Sequence, residues 1–177
     1  MPPVTLYRFQ LELTDVDRGV YETIDVRAAQ HPSEAPLYLV TRVLALALSW
    51  EEGLAFTAGG LSDPDEPAIR SPDENGGTRT WVEIGNPSAR RMHKAAKASR
   101  HLKVYTYKDP KLLMVEIESE RVHRASEIEI YSFAPAFLER LIARLERHNV
   151  WQIIRNGESL IVNVANHSES GEILRHR

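Results

Sequence analysis

Residues Thr80 to Arg91 read TWVEIGNPSARR, and the order of residue types in this stretch sets the fold. Trp81, Val82 and Ile84 make a short apolar strand that carries a single carboxylate, Glu83. Gly85 and Pro87 then stop the strand, and the helix that follows from Ser88 to Arg100 holds Met92, Ala95, Ala96 and Ser99 on its inner side. An acid at the downstream end of a strand therefore meets the start of a helix that carries only positive charge. Leu102 to Tyr107 (LKVYTY) alternates again, so strand, helix and strand succeed one another.

Upstream, Thr5 to Ala28 reads as an antiparallel hairpin. Tyr7, Phe9, Leu11 and Leu13 fall on one face, Arg8, Gln10 and Glu12 on the other, and DVDRG makes the turn. HPSEAPLYLVTRVLALALSW follows, with Ser33 as N-cap, Glu34 and Pro36 in the first turn, and a buried helix beyond. Leu54 to Thr57 and Ala68 to Arg70 are short strands around a glycine- and proline-rich loop, and Thr78 to Ile84 is a strand. Lys111 to Ser119 fits either a helix or a strand, Glu127 to Ser132 is a strand, and Phe133 to His148 is an amphipathic helix. A second hairpin turns near Asn156-Gly157, and residues 166–177 form a loose polar tail. One α/β domain over residues 1–177, a mixed sheet with helices packed on it, accounts for this order.

The 177 residues include no cysteine, which removes thiol catalysis, cysteine-based zinc sites and disulfides. No apolar run reaches the ~18–20 residues of a membrane span and no signal pattern opens the chain, so a cytoplasmic setting is expected. The net charge of −3 hides a segregation. Seven acidic residues lie between Glu51 and Glu74 against Arg70 alone; between Ile84 and Lys108 there is no acid, while Arg90, Arg91, Lys94, Lys97, Arg100, Lys103 and Lys108 are basic. Two readings fit: a cation site beside an anion-binding face, or two solvated surfaces of opposite sign. The seven histidines are scattered without ligand spacing, and no phosphate loop, GxSxG or HExxH sequence occurs.

Three carboxylates carry chemical interest. Glu34 precedes an apolar helix, Asp65 and Glu66 lie in the loop, and Glu83 ends its strand. Glu34 complements the helix dipole, the loop acids are turn residues, and Glu83 has a ready partner in Arg91; alternatively, converging acidic oxygens form the hard site that Mg²⁺ requires. Arg42, inside LVTRVLALAL, must either reach the surface or find a carboxylate, and Glu34 is two turns away.

TDVDRGVYET (14–23), HPSE (31–34) with the helix of Arg42, LAFTAGGLSDPDEPAI (54–69), WVEIGNPSARR (81–91) and VYTY (104–107) together resemble the YaeQ family over nearly the whole chain. The resemblance implies a restriction-endonuclease-like, PD-(D/E)XK nuclease-type fold, a mixed β-sheet flanked by helices. It implies a metal-dependent phosphodiesterase in which Glu34, Asp65 and Glu83, with the Ile84 carbonyl, hold Mg²⁺ or Mn²⁺. Ser33 and Arg42 support these ligands, and Arg91 or Lys94 lies near the scissile phosphate of a nucleic acid. The pattern departs at two points. Its lysine falls on Gly85, so the cation must come from the following helix, and Ala68 stands where members often have a second aspartate, leaving Asp65 and Glu66 as alternative ligands. The competing expectation is a catalytically inactive nuclease fold that binds nucleic acid or a protein partner through Arg90, Lys94 and Lys97 of the basic helix.

Overall fold

The alternation at the start of the chain becomes two long strands, β1 (Thr5–Asp15) and β2 (Val20–Gln30), followed by α1 (Pro36–Leu48). The middle of the chain forms β3 (Ala55–Phe56), β4 (Ile69–Pro72), β5 (Thr78–Ile84), α2 (Ala89–Ala98), β6 (Ser99–Thr106), α3 (Pro110–Ser119) and β7 (Glu129–Ser132). Then come α4 (Pro135–Ile142), β8 (His148–Asn156), β9 (Ser159–Val164), β10 (His167–Glu172) and β11 (Leu174–Arg175). The computed structural model describes residues 3–58 and 63–177. These elements divide into two units, one running to Leu48 and again over Phe133–Leu174, the other over Ser49–Ser132 with Arg175–Arg177.

The first unit is a mixed five-stranded sheet in the order β10-β9-β8-β1-β2. Two of its hairpins, β1–β2 and β8–β9, are the two expected from the sequence. In the first, the Asp15 carboxylate accepts the Arg18 backbone N–H and its Nε, at 3.2 and 2.8 Å, and Gly19 takes φ +65°. In the second, Gly157 and Glu158 form a two-residue turn between Asn156 and Ser159, with Gly157 at φ +61° in the position where a left-handed residue matches the strand twist. Strand β8 lies parallel to β1, which a hairpin connection does not allow. Phe9, Leu11, Leu13, Trp151, Ile153, Leu160 and Val162 are buried, and Phe9 meets Trp151 edge to face at 5.1 Å.

Three sequence expectations change in this unit. Helix α4 ends at Ile142, not His148. The Asn149 side chain takes the Glu146 N–H at 2.9 Å and donates to the Glu146 carbonyl at 2.6 Å, diverting backbone groups that a continuing helix would use. The tail expected to be loose supplies β10, paired residue for residue with β9 from His167 to Glu172. Ser33 is not the cap of α1: the helix begins at Pro36, and the Ser33 hydroxyl lies 2.7 Å from His31 Nδ1.

The second unit is a six-stranded sheet in the order β11-β7-β6-β5-β4-β3. The fold thus contains two mixed sheets where a single one was expected. Strands β5, β6 and β7 are parallel, linked by α2 and α3, while β3, β4 and β5 are antiparallel. The ambiguous Lys111–Ser119 segment is helical, with Pro110 in the first turn and the Asp109 side chain capping the Lys111 N–H at 3.0 Å. Met92, Ala95 and Ala96 of α2 and Leu113 and Ile117 of α3 pack on Trp81, Leu102, Val104 and Ile130.

The C-terminal end of α2 is closed by a residue remote in sequence. Arg124, itself in the left-handed region at φ +50°, donates to the carbonyls of Ala96 and Ser99 at 2.6 Å each and of Arg100 at 3.2 Å. A cation on the Ala96 carbonyl in the last turn of α2 and on the first two carbonyls of β6 satisfies acceptors and complements the helix dipole together. Arg124→Ala is expected to cost about 1.5–3 kcal/mol, the range for hydrogen bonds to a charged group, read as a lower urea midpoint with an unchanged slope.

Candidate functional site

Glu83 projects from the same face of β5 as Trp81, two residues earlier, because side chains repeat every second residue along a strand. The Trp81 indole Nε1 donates to Glu83 Oε1 at 2.6 Å, and Arg91 Nε donates to Oε2 at 2.8 Å. Both oxygens of this buried carboxylate are therefore engaged. Beyond Ile84 the backbone leaves the strand at Gly85, whose N–H bonds the Tyr105 carbonyl at 2.9 Å and whose φ is +86°. A Cβ at this position meets open space, so the backbone conformation, not crowding, favours glycine here. That is the physical reason a lysine is disfavoured two residues after the strand acid.

Asn86 then fixes the connection. It accepts from Thr106 Oγ1 at 2.7 Å and donates to the Asp109 carbonyl at 3.0 Å. Ser88 caps α2 by accepting the Arg91 N–H at 3.2 Å, and the Ala89 N–H is taken by Glu116 Oε1 at 3.1 Å. The first helical turn thereby carries Arg91 back over the strand end.

Arg91 does more than pair with Glu83. Its Nη2 donates to the Glu66 carbonyl at 2.5 Å, and its Nη1 donates to the Pro64 carbonyl. A carboxylate and two loop carbonyls converge on one guanidinium, tying the loop to the strand. One turn further along α2, Lys94 forms an ion pair with Asp65. The hydrogen bond from Lys94, and then its charge, hold the exposed Asp65 carboxyl below the usual range. Glu66 enters this arrangement through its backbone. Within the family-like stretch 54–69, residues 59–62 lie outside the described residues.

The outer face of α2 is a cationic stripe. Arg90, Lys94 and Lys97 fall at i, i+4 and i+7 and are exposed, while Met92, Ala95 and Ala96 face the core. Among the described residues, Arg90 and Lys97 form no ion pair, whereas Arg100 approaches Asp73 at 3.7 Å and Glu74 at 3.8 Å.

Glu34 and Arg42 belong to the other unit and are buried together. Arg42 Nη2 lies 3.0 Å from Glu34 Oε1 and also donates to the Ala29 carbonyl at 3.0 Å. Glu34 precedes α1 rather than occupying its first turn, and its Oε2 accepts the His31 N–H at 3.3 Å. Burial pushes the Glu34 carboxyl above the ordinary range, opposed by the Arg42 charge and these hydrogen bonds. Arg42 has found the carboxylate that its place in an apolar helix demanded.

The expected residues therefore form two groups, Glu83, Asp65, Arg91 and Lys94 in one unit and Glu34 with Arg42 in the other. Among the described residues, no three of histidine, aspartate and glutamate come together in a group able to hold a metal ion. Trp81 and the carbonyls of Pro64 and Glu66 were missed from the sequence. Trp81 was within reach, two residues from Glu83 on the same strand face; the carbonyls leave no trace in residue identity.

The family model described as YaeQ protein matches residues 2–172. The YaeQ protein of Escherichia coli (strain K12) is 32% identical over 103 residues, 58% of this chain and 56% of the relative, and that of Salmonella typhi matches to the same extent. The matched segment thus spans little more than half the length of these relatives. The crystal structure of the YaeQ protein from Pseudomonas syringae superposes with a TM-score of 0.90 at 28% identity, covering 100% of this chain and 98% of that one. That from Xanthomonas axonopodis pv. citri gives 0.90 at 26% identity, covering 99% of each. The chain belongs to the YaeQ family.

Proposed function

We propose that this protein is a nucleic-acid-binding member of the restriction-endonuclease-like class whose strand-end acid is occupied by a resident cation. The observation that carries this reading is the Arg91 guanidinium, set among the Glu83 carboxylate and the carbonyls of Pro64 and Glu66. Three oxygens around a cation are what a hard divalent ion also seeks. Here a permanently protonated side chain takes them. The second acid of the unit, Asp65, is likewise held by Lys94. These two carboxylates do not fit Mg²⁺ or Mn²⁺ while both side-chain cations are in place, so no hydrolytic step is assigned to them.

Contact with phosphate falls instead to the outer face of α2, where Arg90, Lys94 and Lys97 line up. Lysine and arginine on phosphates release condensed counterions, so affinity falls steeply with salt. Fluorescence anisotropy with a labelled 20-nucleotide DNA or RNA is expected to show binding without divalent metal. In the Arg90→Ala/Lys94→Ala/Lys97→Ala variant the log–log salt slope is expected to shrink by about two to three. Binding that ignores both salt and these substitutions overturns the proposal.

Metal-dependent phosphodiester hydrolysis is the second reading. It is favoured by the pairing of two acids, one on a loop and one on a strand, with cations on successive turns of one helix. Calorimetric titration with Mg²⁺ and Mn²⁺ separates the two. Binding in the native protein that is lost in Glu83→Gln, with the fold retained, replaces the first reading by the second.

A further inference from the structure

The exposed face of the five-stranded sheet carries a second cationic feature, unrelated to α2. Arg8 of β1 stands directly opposite Arg27 of β2 and beside His148 of β8, in register across three neighbouring strands. The three side chains share one face, are exposed, and line a groove of about 200 Å³ with Asp25 and the flanking Phe9 and Val26. Like charges directly opposite one another on a sheet are destabilising. Among the described residues, neither guanidinium has a side-chain hydrogen bond or ion pair to offset this, although the Arg8 backbone bonds the Arg147 carbonyl and the Asn149 amide.

The rest of the unit behaves differently. Arg18 is paired with Asp15, Arg42 with Glu34, Arg140 and Arg144 with Glu169, and Arg155 with Asp17. Arg147 lies over the Tyr7 ring, 5.9 Å from its centroid. Arg8 and Arg27 thus stand out in a unit where the other arginines are provided for, and the groove beside them supplies one acid, Asp25, against three groups able to donate. From this register and this lack of internal partners, we infer that the Arg27–Arg8–His148 row is a phosphate-binding surface for a nucleic-acid strand. Strands about 4.8 Å apart place these groups over a span of roughly 10 Å. Two neighbouring guanidinium groups offer the paired planar donors that suit phosphate oxygens.

The inference rests on the proposed function for the identity of the ligand, but on separate residues in a separate unit. Its test is the same anisotropy titration, run on Arg8→Ala/Arg27→Ala with α2 intact and on the α2 triple variant. The salt slope is expected to fall by about 1.4 in the sheet variant, since each phosphate contact on a single strand contributes about 0.7. Arg27→Glu separates this from loss of fold: it sets opposite charges across the strands, so thermal stability is expected to hold or rise while affinity falls. Affinity and slope unchanged in both sheet variants overturn the inference and leave the α2 reading standing if the triple variant is weakened. A loss in the sheet variants alone keeps the row and removes α2. Inorganic phosphate, titrated by amide chemical shift, gives the last arm: shifts at Arg8 and Arg27 without oligonucleotide binding overturn the nucleic-acid assignment in favour of a small-anion site.

Discussion

Arg42→Met is expected to lower stability by about 3–5 kcal/mol, the range for removing one partner of a buried ion pair. Both members are almost fully covered, with Glu34 6% and Arg42 4% exposed. The methionine fills much of the space but leaves the Glu34 carboxylate without its cation and the Ala29 carbonyl without the Arg42 donor. The loss should depend on pH in a defined direction. Burial already raises the Glu34 carboxyl above its ordinary 4.5, and removing Arg42 removes a lowering influence, so the folded state holds the proton more tightly still. Because the folded state then binds more protons than the unfolded one, stability falls as pH rises from the ordinary carboxyl value through the raised one. Urea unfolding is therefore expected to show a larger destabilisation at pH 8 than at pH 5. A double variant, Glu34→Leu/Arg42→Met, is expected to recover most of the loss, since an apolar replacement of a buried pair is often neutral. Equal destabilisation at both pH values, with no recovery in the double variant, would remove the ion pair as the cause.

The demand that Arg42 places on its surroundings was legible in sequence because a charge inside LVTRVLALAL has few options. The strand-end position of Glu83 and the inner face of α2 were legible for a similar reason: both follow from local period and from glycine and proline. What the period does not contain is the choice of partner. Alternation shows that β1 and β8 are strands, but not that they lie parallel in one sheet while β5 to β7 build another. Nor does the basic run from Arg90 to Lys97 show that Arg91 turns inward onto loop carbonyls while Arg90 faces solvent. The pattern of Phe137, Leu138, Leu141, Ile142 and Leu145 extends past the true end of α4, because nothing in it registers the Asn149 side chain competing for the Glu146 backbone.

The polar tail is the least legible segment of the chain. HSESGE has no apolar alternation, yet it forms β10 because the backbone ladder to β9 and the cover of α4 suffice. Arg140 of α4 donates to Glu169 at 3.0 Å and to the Ser170 carbonyl at 2.6 Å. One turn earlier, the buried Phe137 ring lies against Gly171 so closely that a Cβ there would stand 2.4 Å from its Cγ. The glycine is thus a matter of close approach between a strand and an aromatic ring. Gly171→Ala is expected to cost roughly 1–3 kcal/mol by overpacking, and Gly171→Val more. Phe137→Leu in the Gly171→Ala background should restore part of the loss by relieving that contact, even though the same change alone leaves a void and destabilises. Hydrogen exchange provides a local readout: amides of β10 that are slow in the native chain should exchange faster in Gly171→Val, along with those of α4, before the β1–β2 hairpin is affected. Unchanged unfolding in Gly171→Ala, together with fast exchange across His167–Glu172 in the native chain, would return these residues to the loose tail that their composition suggests.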